Sequence, residues 1–82
     1  MHISIISPDK TIFEGEISSV LAPGVGGIFQ VLNNHAPMVS ALDRGTVKIV
    51  KDGGGEMSFE IEKGFLEVLR NKVALLVQGV KE

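Results

Sequence analysis

Hydrophobic and polar residues alternate along most of the chain with the two-residue period of a β-strand. The clearest case is "EMSFEIE", residues 56–62, where Met57, Phe59 and Ile61 fall on one face and the glutamates on the other. "TVKIVK", residues 46–51, alternates in the same way. This period is typical of strands with one buried and one solvated face. No stretch of useful length has a helical period.

The strand-like runs are separated by residues typical of tight turns, in "SPDK", "PGVGG", "DGGG" and Arg70-Asn71. Gly and Asn accept positive φ, and the fixed φ of Pro suits a turn, so each of these four stretches predicts a chain reversal. Ser18-Ser19 interrupts the alternation of "EISSVLA", which predicts a bulge. "MVSAL", residues 38–42, fits a short strand or one helical turn. About nine short strands at this spacing predict an all-β fold, a small β-sandwich or flattened barrel.

The length of 82 residues is that of one small domain, so we expect residues 1–82 to form a single unit. Such a unit needs nearly all its inward Val, Ile, Leu and Phe side chains as core. Residues 73–77 are apolar on both faces, which predicts a strand buried between two layers.

Composition excludes several functional classes. The net charge is -2 with scattered basic residues, and Trp and Tyr are absent, which argues against nucleic-acid binding. The absence of cysteine excludes thiol catalysis and thiolate metal sites, and is typical of small intracellular domains. No apolar run approaches about 18 residues and no signal peptide is recognisable, so we expect no membrane insertion.

No catalytic, cofactor or metal site is predicted. The glycines at 24–27 precede a strand-like run instead of the helix that a phosphate loop requires, which favours a tight turn. His35 could pair with Ser40 and Asp43, but no nucleophile elbow holds the serine. Metal-ligand spacing is also missing. The carboxylate pairs are typical of a solvated strand face: Glu14 with Glu16, and Glu60 with Glu62.

Residues 28–39 contain more apolar side chains than one short strand needs. The surplus predicts an exposed apolar patch, which on a small domain usually marks a protein interface. A protein-binding module is therefore the favoured interpretation. The alternative is a small-molecule-binding β-sandwich or a cupin-like enzyme, which would need several histidines and a carboxylate on facing strands; the chain has two histidines.

Four motifs follow one another along nearly the whole chain: "TIFEGEISSVLAPG", "GGIFQVLNNHAPMVSAL", "GTVKIV" and "GFLEVLRNKVALLV". Together and in this order they resemble the N-terminal domain of the epsilon subunit of F-type ATP synthase. The resemblance implies a sandwich of two roughly five-stranded sheets. It also implies a non-catalytic rotor subunit that binds the gamma subunit and the c-ring and couples ion-driven rotation to ATP synthesis. A peripheral position at the cytoplasmic face of a bacterial inner membrane would follow.

By position, the resemblance implies that a set of loop and strand residues faces gamma and the ring. They are Gly27, Ile28, Asn34, His35, Ala36, Pro37, Met38 and Ser40. Ile28 stands where family members often have an acidic residue, so we expect a more apolar ring contact. Members commonly continue into a C-terminal helical hairpin; nothing follows Glu82 here, and we expect no self-inhibition through such a hairpin.

Overall fold

The computed structural model describes residues 1–81, which contain eight strands and no helix. The strands are β1 (His2–Ile6), β2 (Thr11–Gly24), β3 (Gly27–Leu32), β4 (Met38–Leu42), β5 (Gly45–Lys51), β6 (Glu56–Ile61), β7 (Lys63–Leu69) and β8 (Lys72–Gln78). The all-β prediction is confirmed, and "MVSAL" is a strand. Within residues 1–81 no helix is long and apolar enough to cross a membrane.

Strand β2 belongs to two layers. Its N-terminal half pairs with β1, from which pairing continues through β8 and β7 to β4. Its C-terminal half pairs with β3 and β5, and β5 pairs with β6. The result is a five-strand layer and a four-strand layer that share β2. "TIFEG" and "EISSVLA", predicted as two strands, are therefore one strand of 14 residues with a register shift between Ile17 and Ser19, where the bulge was predicted.

The core lies between the layers and takes alternate residues from every strand. No polar or charged side chain is buried among the described residues, so the interior is apolar. Each fully buried aliphatic side chain stabilises the fold by about 1.5–3 kcal/mol relative to exposure. The largest fully buried side chains are Ile3, Ile5, Ile17, Ile49, Ile61, Leu66, Leu75, Val20, Val31, Val47, Val68 and Val77.

The predicted turns are present. Arg70 and Asn71 have φ of 53° and 61°, the left-handed pair of a two-residue hairpin turn between β7 and β8. "DGGG" turns the chain between β5 and β6, with Gly53 and Gly54 at positive φ. Val25 and Gly26 form the turn between β2 and β3, so the glycine-rich stretch is a hairpin and no helix follows it.

The prediction that residues 73–77 are buried on both faces is wrong. Leu76 is 50% exposed, and Phe65, which pairs with it on β7, is 45% exposed. Both side chains lie on the outer face of the five-strand layer, where no part of residues 1–81 forms a covering layer. Apolar residues on both faces of a strand indicate that both faces are suited to burial. They do not indicate whether the second face is buried by the same chain or by a partner.

Candidate docking surface

Four apolar residues form a row across the outer face of the five-strand layer. Ile6 pairs with Leu76, Leu76 with Phe65, and Phe65 with Ala41, on strands β1, β8, β7 and β4. Directly opposed residues of paired strands project from the same face, so their side chains are neighbours. We call these four residues the apolar row. With Pro8 they line an open groove of about 600 Å³.

The apolar row continues to the turn between β2 and β3. The Val25 N–H donates to the Ala41 carbonyl at 3.1 Å, which fixes this turn against β4. Val25 is 66% exposed and Ile28, the second residue of β3, is 75% exposed. We call residues 25–28 the hairpin tip. An exposed apolar surface therefore extends from β1 to the hairpin tip, and contiguous patches of this kind mark interaction sites.

Polar side chains flank the apolar row along β7. Lys63 and Glu67 lie two residues to either side of Phe65, so all three project from the same face. Lys63 and Glu67 are both exposed. An apolar centre with a charged margin is the usual composition of a protein–protein interface.

The residues that the sequence assigned to partner binding occupy two separate places. Gly27 and Ile28 are in the hairpin tip, whereas Asn34, His35, Ala36 and Pro37 follow the other end of β3. Four residue steps of extended strand separate Ile28 from Leu32, which is about 13 Å, and Asn34 lies in the turn that follows. A single small partner loop could not contact both groups, so a larger surface or two partners would be needed.

The segment 33–37 is tied to two neighbouring parts of the chain. The Asn34 N–H donates to the Asn71 side-chain carbonyl at 2.8 Å, and Asn34 has a φ of 63°. The Met1 nitrogen donates to the Asn33 side-chain carbonyl at 2.7 Å. These contacts place the segment beside the turn between β7 and β8.

His35 is half-buried, and its Nδ1 lies 2.7 Å from the Ala36 carbonyl oxygen. A carbonyl only accepts, so Nδ1 carries the hydrogen of this bond. Its backbone N–H donates to the Leu32 carbonyl at 3.2 Å, closing the turn. These two hydrogen bonds hold His35 in the turn, and Ala36 and Pro37 beside it are exposed.

Met38 and Ser40 project toward the interior. They pair with the buried Val68 and Leu66 of β7, and opposed residues share a face. Met38 packs against the core, and both side chains are half-buried. Their neighbour Val39 points outward instead and is 58% exposed.

The sequence placed Val39 within the apolar stretch 28–39 but did not point to the apolar row. The signal available in the sequence was Leu76, an apolar residue at an outward position of β8, which was interpreted as part of the core. Alternation identifies the two faces of a strand, but the face that meets a partner carries the same residue types as the face that meets the core.

His2 lies between two carboxylates on the surface. Its Nδ1 is 2.8 Å from Glu16 Oε2, and its Nε2 is 3.1 Å from Glu14 Oε2. The hydrogen bond that His2 donates to Glu16, and then the one to Glu14, raises the pKa of His2 above 6.5. Because the carboxylates bind opposite sides of the ring, they do not converge on one point. Among residues 1–81 no three His, Asp or Glu side chains are grouped to hold a metal.

Together, the fold and the exposed surface define a small β-sandwich domain suited to protein interaction. Comparison with known proteins gives the same class. The family model described as ATP synthase, Delta/Epsilon chain, beta-sandwich domain matches residues 1–82. The chain belongs to this family.

Relatives with the same family name cover nearly the whole chain. The ATP synthase epsilon chain of Chlorobium limicola is 45% identical over 78 residues, covering 95% of this chain and 89% of the relative. That of Caulobacter vibrioides is 39% identical over 82 residues, covering 100% and 94%. The resemblance to ATP synthase epsilon chains is thus confirmed.

A solved structure supports the fold. A chain in the Euglena gracilis mitochondrial ATP synthase structure (OSCP/F1/c-ring, rotational state 1) superposes with a TM-score of 0.89 at 21% identity. The match covers 96% of this chain and 51% of that chain, so this chain spans about half its length. At this identity the likeness shows a shared fold only.

Proposed function

We propose that the chain is a non-catalytic rotor subunit in the central stalk of an F-type ATP synthase. In this role it binds the gamma subunit and the c-ring, and helps to couple rotation driven by protons or sodium ions to ATP synthesis. It acts as a peripheral subunit at the cytoplasmic face of a bacterial inner membrane. Family membership supports a place in this complex, and the exposed apolar surface supports attachment through apolar contacts.

The observation that carries the proposal is the apolar row. Phe65 and Leu76 are large side chains at the centre of the outer face, about half of each is exposed, and Ile6 extends the row to β1. Leaving such a surface in water is unfavourable by about 25 cal/mol for each Å². We assign the apolar row to gamma, because a large partner subunit can cover a face that spans four strands.

The hairpin tip is assigned to the c-ring. It is a tight turn with two exposed apolar side chains, Val25 and Ile28, and residues 17–32 around it carry no charge. We therefore propose that the ring contact is apolar at Ile28. The segment Asn34–Pro37 lies at the opposite end of β3 and is proposed as a second contact with gamma.

Substitution at the centre of the apolar row tests the gamma assignment. Phe65→Glu should weaken binding to gamma about thirtyfold or more, because truncating a central aromatic contact commonly costs 2 kcal/mol or more. Binding is measured by co-elution in gel filtration and by titration calorimetry. Ser58→Glu, on the exposed face of the four-strand layer beside Lys48, is the matched control and should bind like the original chain. Equal affinity of all three proteins would refute the assignment.

A further inference from the structure

Strand β3 is an open sheet edge without the usual protection. It pairs only with β2, so one of its sides has no neighbouring strand within residues 1–81. The other edge of the same layer, β6, carries Glu56 and Glu60, and the backbone of Glu60 forms an antiparallel β-bridge with Lys81. Charges and covering segments are the devices by which proteins prevent edge pairing. Strand β3 has neither.

The free side of β3 presents unpaired peptide groups. Pro23 lies opposite Ile28, has no N–H, and its carbonyl accepts from Asp43 on the β4 side of β2. This pair is therefore a non-hydrogen-bonded position of the ladder. Because bonding alternates along an antiparallel pair, the N–H and C=O groups of Ile28 and Gln30 point away from β2.

The side chains of β3 suit a second copy of the same strand. Ile28, Gln30 and Leu32 project outward, and Phe29 and Val31 project inward. A two-fold axis at Gln30 places Ile28 opposite Leu32 of the second copy and Phe29 opposite its Val31. Every opposed pair then shares a face, as an antiparallel register requires.

Charge also favours a copy of this chain over a charged peptide. Neither β3 nor the paired half of β2, residues 17–24, carries a charged side chain. Two copies meeting at the axis bring no like charges together, whereas a charged peptide would find no partner there. The pairing also covers Ile28 and Leu32, which are 75% and 52% exposed.

We propose that the free chain forms a symmetric dimer by antiparallel β3–β3 pairing centred on Gln30, which joins two four-strand layers into one continuous sheet. The inference goes beyond the proposed function, since it concerns the chain outside the complex. It connects to that function at Ile28, which the dimer covers. Dimerisation and c-ring contact would then exclude each other.

The dimer is tested on the full chain alone by analytical ultracentrifugation across a concentration series. The average mass should rise from 8.8 kDa toward twice that value as concentration increases. Gln30→Lys places two lysines against each other at the axis and should raise the dissociation constant roughly fivefold or more. Thr46→Lys, which adds the same charge opposite Glu60 on the same layer, should leave it unchanged. A monomer at every concentration, or equal sensitivity to both variants, would overturn the proposal.

Cross-linking tests the register independently. The chain has no cysteine, so Gln30→Cys introduces one thiol per copy. At a hydrogen-bonded pair the two Cα atoms lie about 5.5 Å apart, within the range of a disulfide. Mild oxidation should therefore link Gln30→Cys into a covalent dimer and leave Ser58→Cys on the β6 edge monomeric. Equal linking of the two variants, or none of Gln30→Cys, contradicts this register. Both tests omit gamma and the ring, so their failure leaves the proposed function intact.

Discussion

Single glycines determine how closely the strands beneath the apolar row approach each other. A Cβ at Gly64 would lie 2.6 Å from the Leu76 carbonyl oxygen and 3.3 Å from Val77 Cγ1. Real Cβ atoms do not come this close to backbone, so β7 can lie against β8 here only because residue 64 has no side chain. A side chain at residue 64 would point inward, toward the buried Ile61 and Val77, and would push β7 and β8 apart beneath the apolar row.

His2 should make stability dependent on pH. Its pKa in the folded chain is raised above 6.5, by Glu16 first and then by Glu14. Two positive charges also face this group: the N-terminal amine, 3.9 Å from Glu16 Oε1, and the exposed Lys72, which pairs with His2 on β8. The contribution of His2 is therefore fully present below pH 6.5 and is lost as pH rises through the raised folded value. The melting temperature of the original chain should exceed that of His2→Gln most at pH 6, with the difference shrinking by pH 8.

The pKa of His2 is measured directly by NMR titration of its ring protons. A value at or below 6.5 would contradict the geometry, as would an unchanged value in the variant that lacks both carboxylates, Glu14→Gln with Glu16→Gln. The effect on stability should be small because the groups are exposed and screened by solvent.

At the scale of elements, most strands and turns could be predicted from the sequence. Strands β5 and β6 follow from simple alternation, and Arg70-Asn71 follows from the tolerance of Asn for positive φ. The joining of two predicted strands into β2 could not be predicted, because a bulge disturbs alternation in the same way as a strand end. The pairing order was also inaccessible, since register depends on contacts between distant segments.

The candidate site was predictable only in part. The exposed apolar residues of segment 28–39 were anticipated, and Ile28, Leu32 and Val39 are indeed exposed. Their separation along β3 and the inward direction of Met38 and Ser40 depend on which strands pair, so they required the structure. The apolar row was missed because its members lie on four different strands.

The turn between β7 and β8 should control the order of segment 33–37. Asn71 adopts positive φ and accepts the Asn34 N–H at 2.8 Å, so it supports both the hairpin and the segment. Asn71→Gly keeps the turn but removes this bond, and should accelerate hydrogen exchange at the Asn34 amide with little change in global stability. Asn71→Ala should in addition lower the free energy of unfolding by about 1–2 kcal/mol, because alanine is strained at positive φ.

Amide exchange by NMR and chemical unfolding separate these two effects. Equal exchange at Asn34 in the original chain and in Asn71→Gly would show that the bond does not order the segment. Equal stability of the glycine and alanine variants would show that the backbone at residue 71 is unstrained.

At the scale of the whole molecule, one apolar interior and one apolar exterior share the five-strand layer. The interior is formed entirely by apolar side chains of this chain, since the described residues bury no polar side chain. The exterior is left uncovered from β1 to the hairpin tip. This division leaves an uncovered apolar surface for assembly beside an apolar core, as a stalk subunit requires.

The central claim is that the apolar row is covered when the chain joins the stalk, and thiol labelling of Leu76→Cys tests it most directly. The chain has no cysteine, and Leu76 is 50% exposed, so the variant should react readily with a maleimide when free. In the assembled synthase its labelling, followed on this chain by mass spectrometry, should be strongly slowed, while Ser58→Cys labels equally in both states. Equal labelling of Leu76→Cys in the free chain and in the assembled synthase would contradict the account.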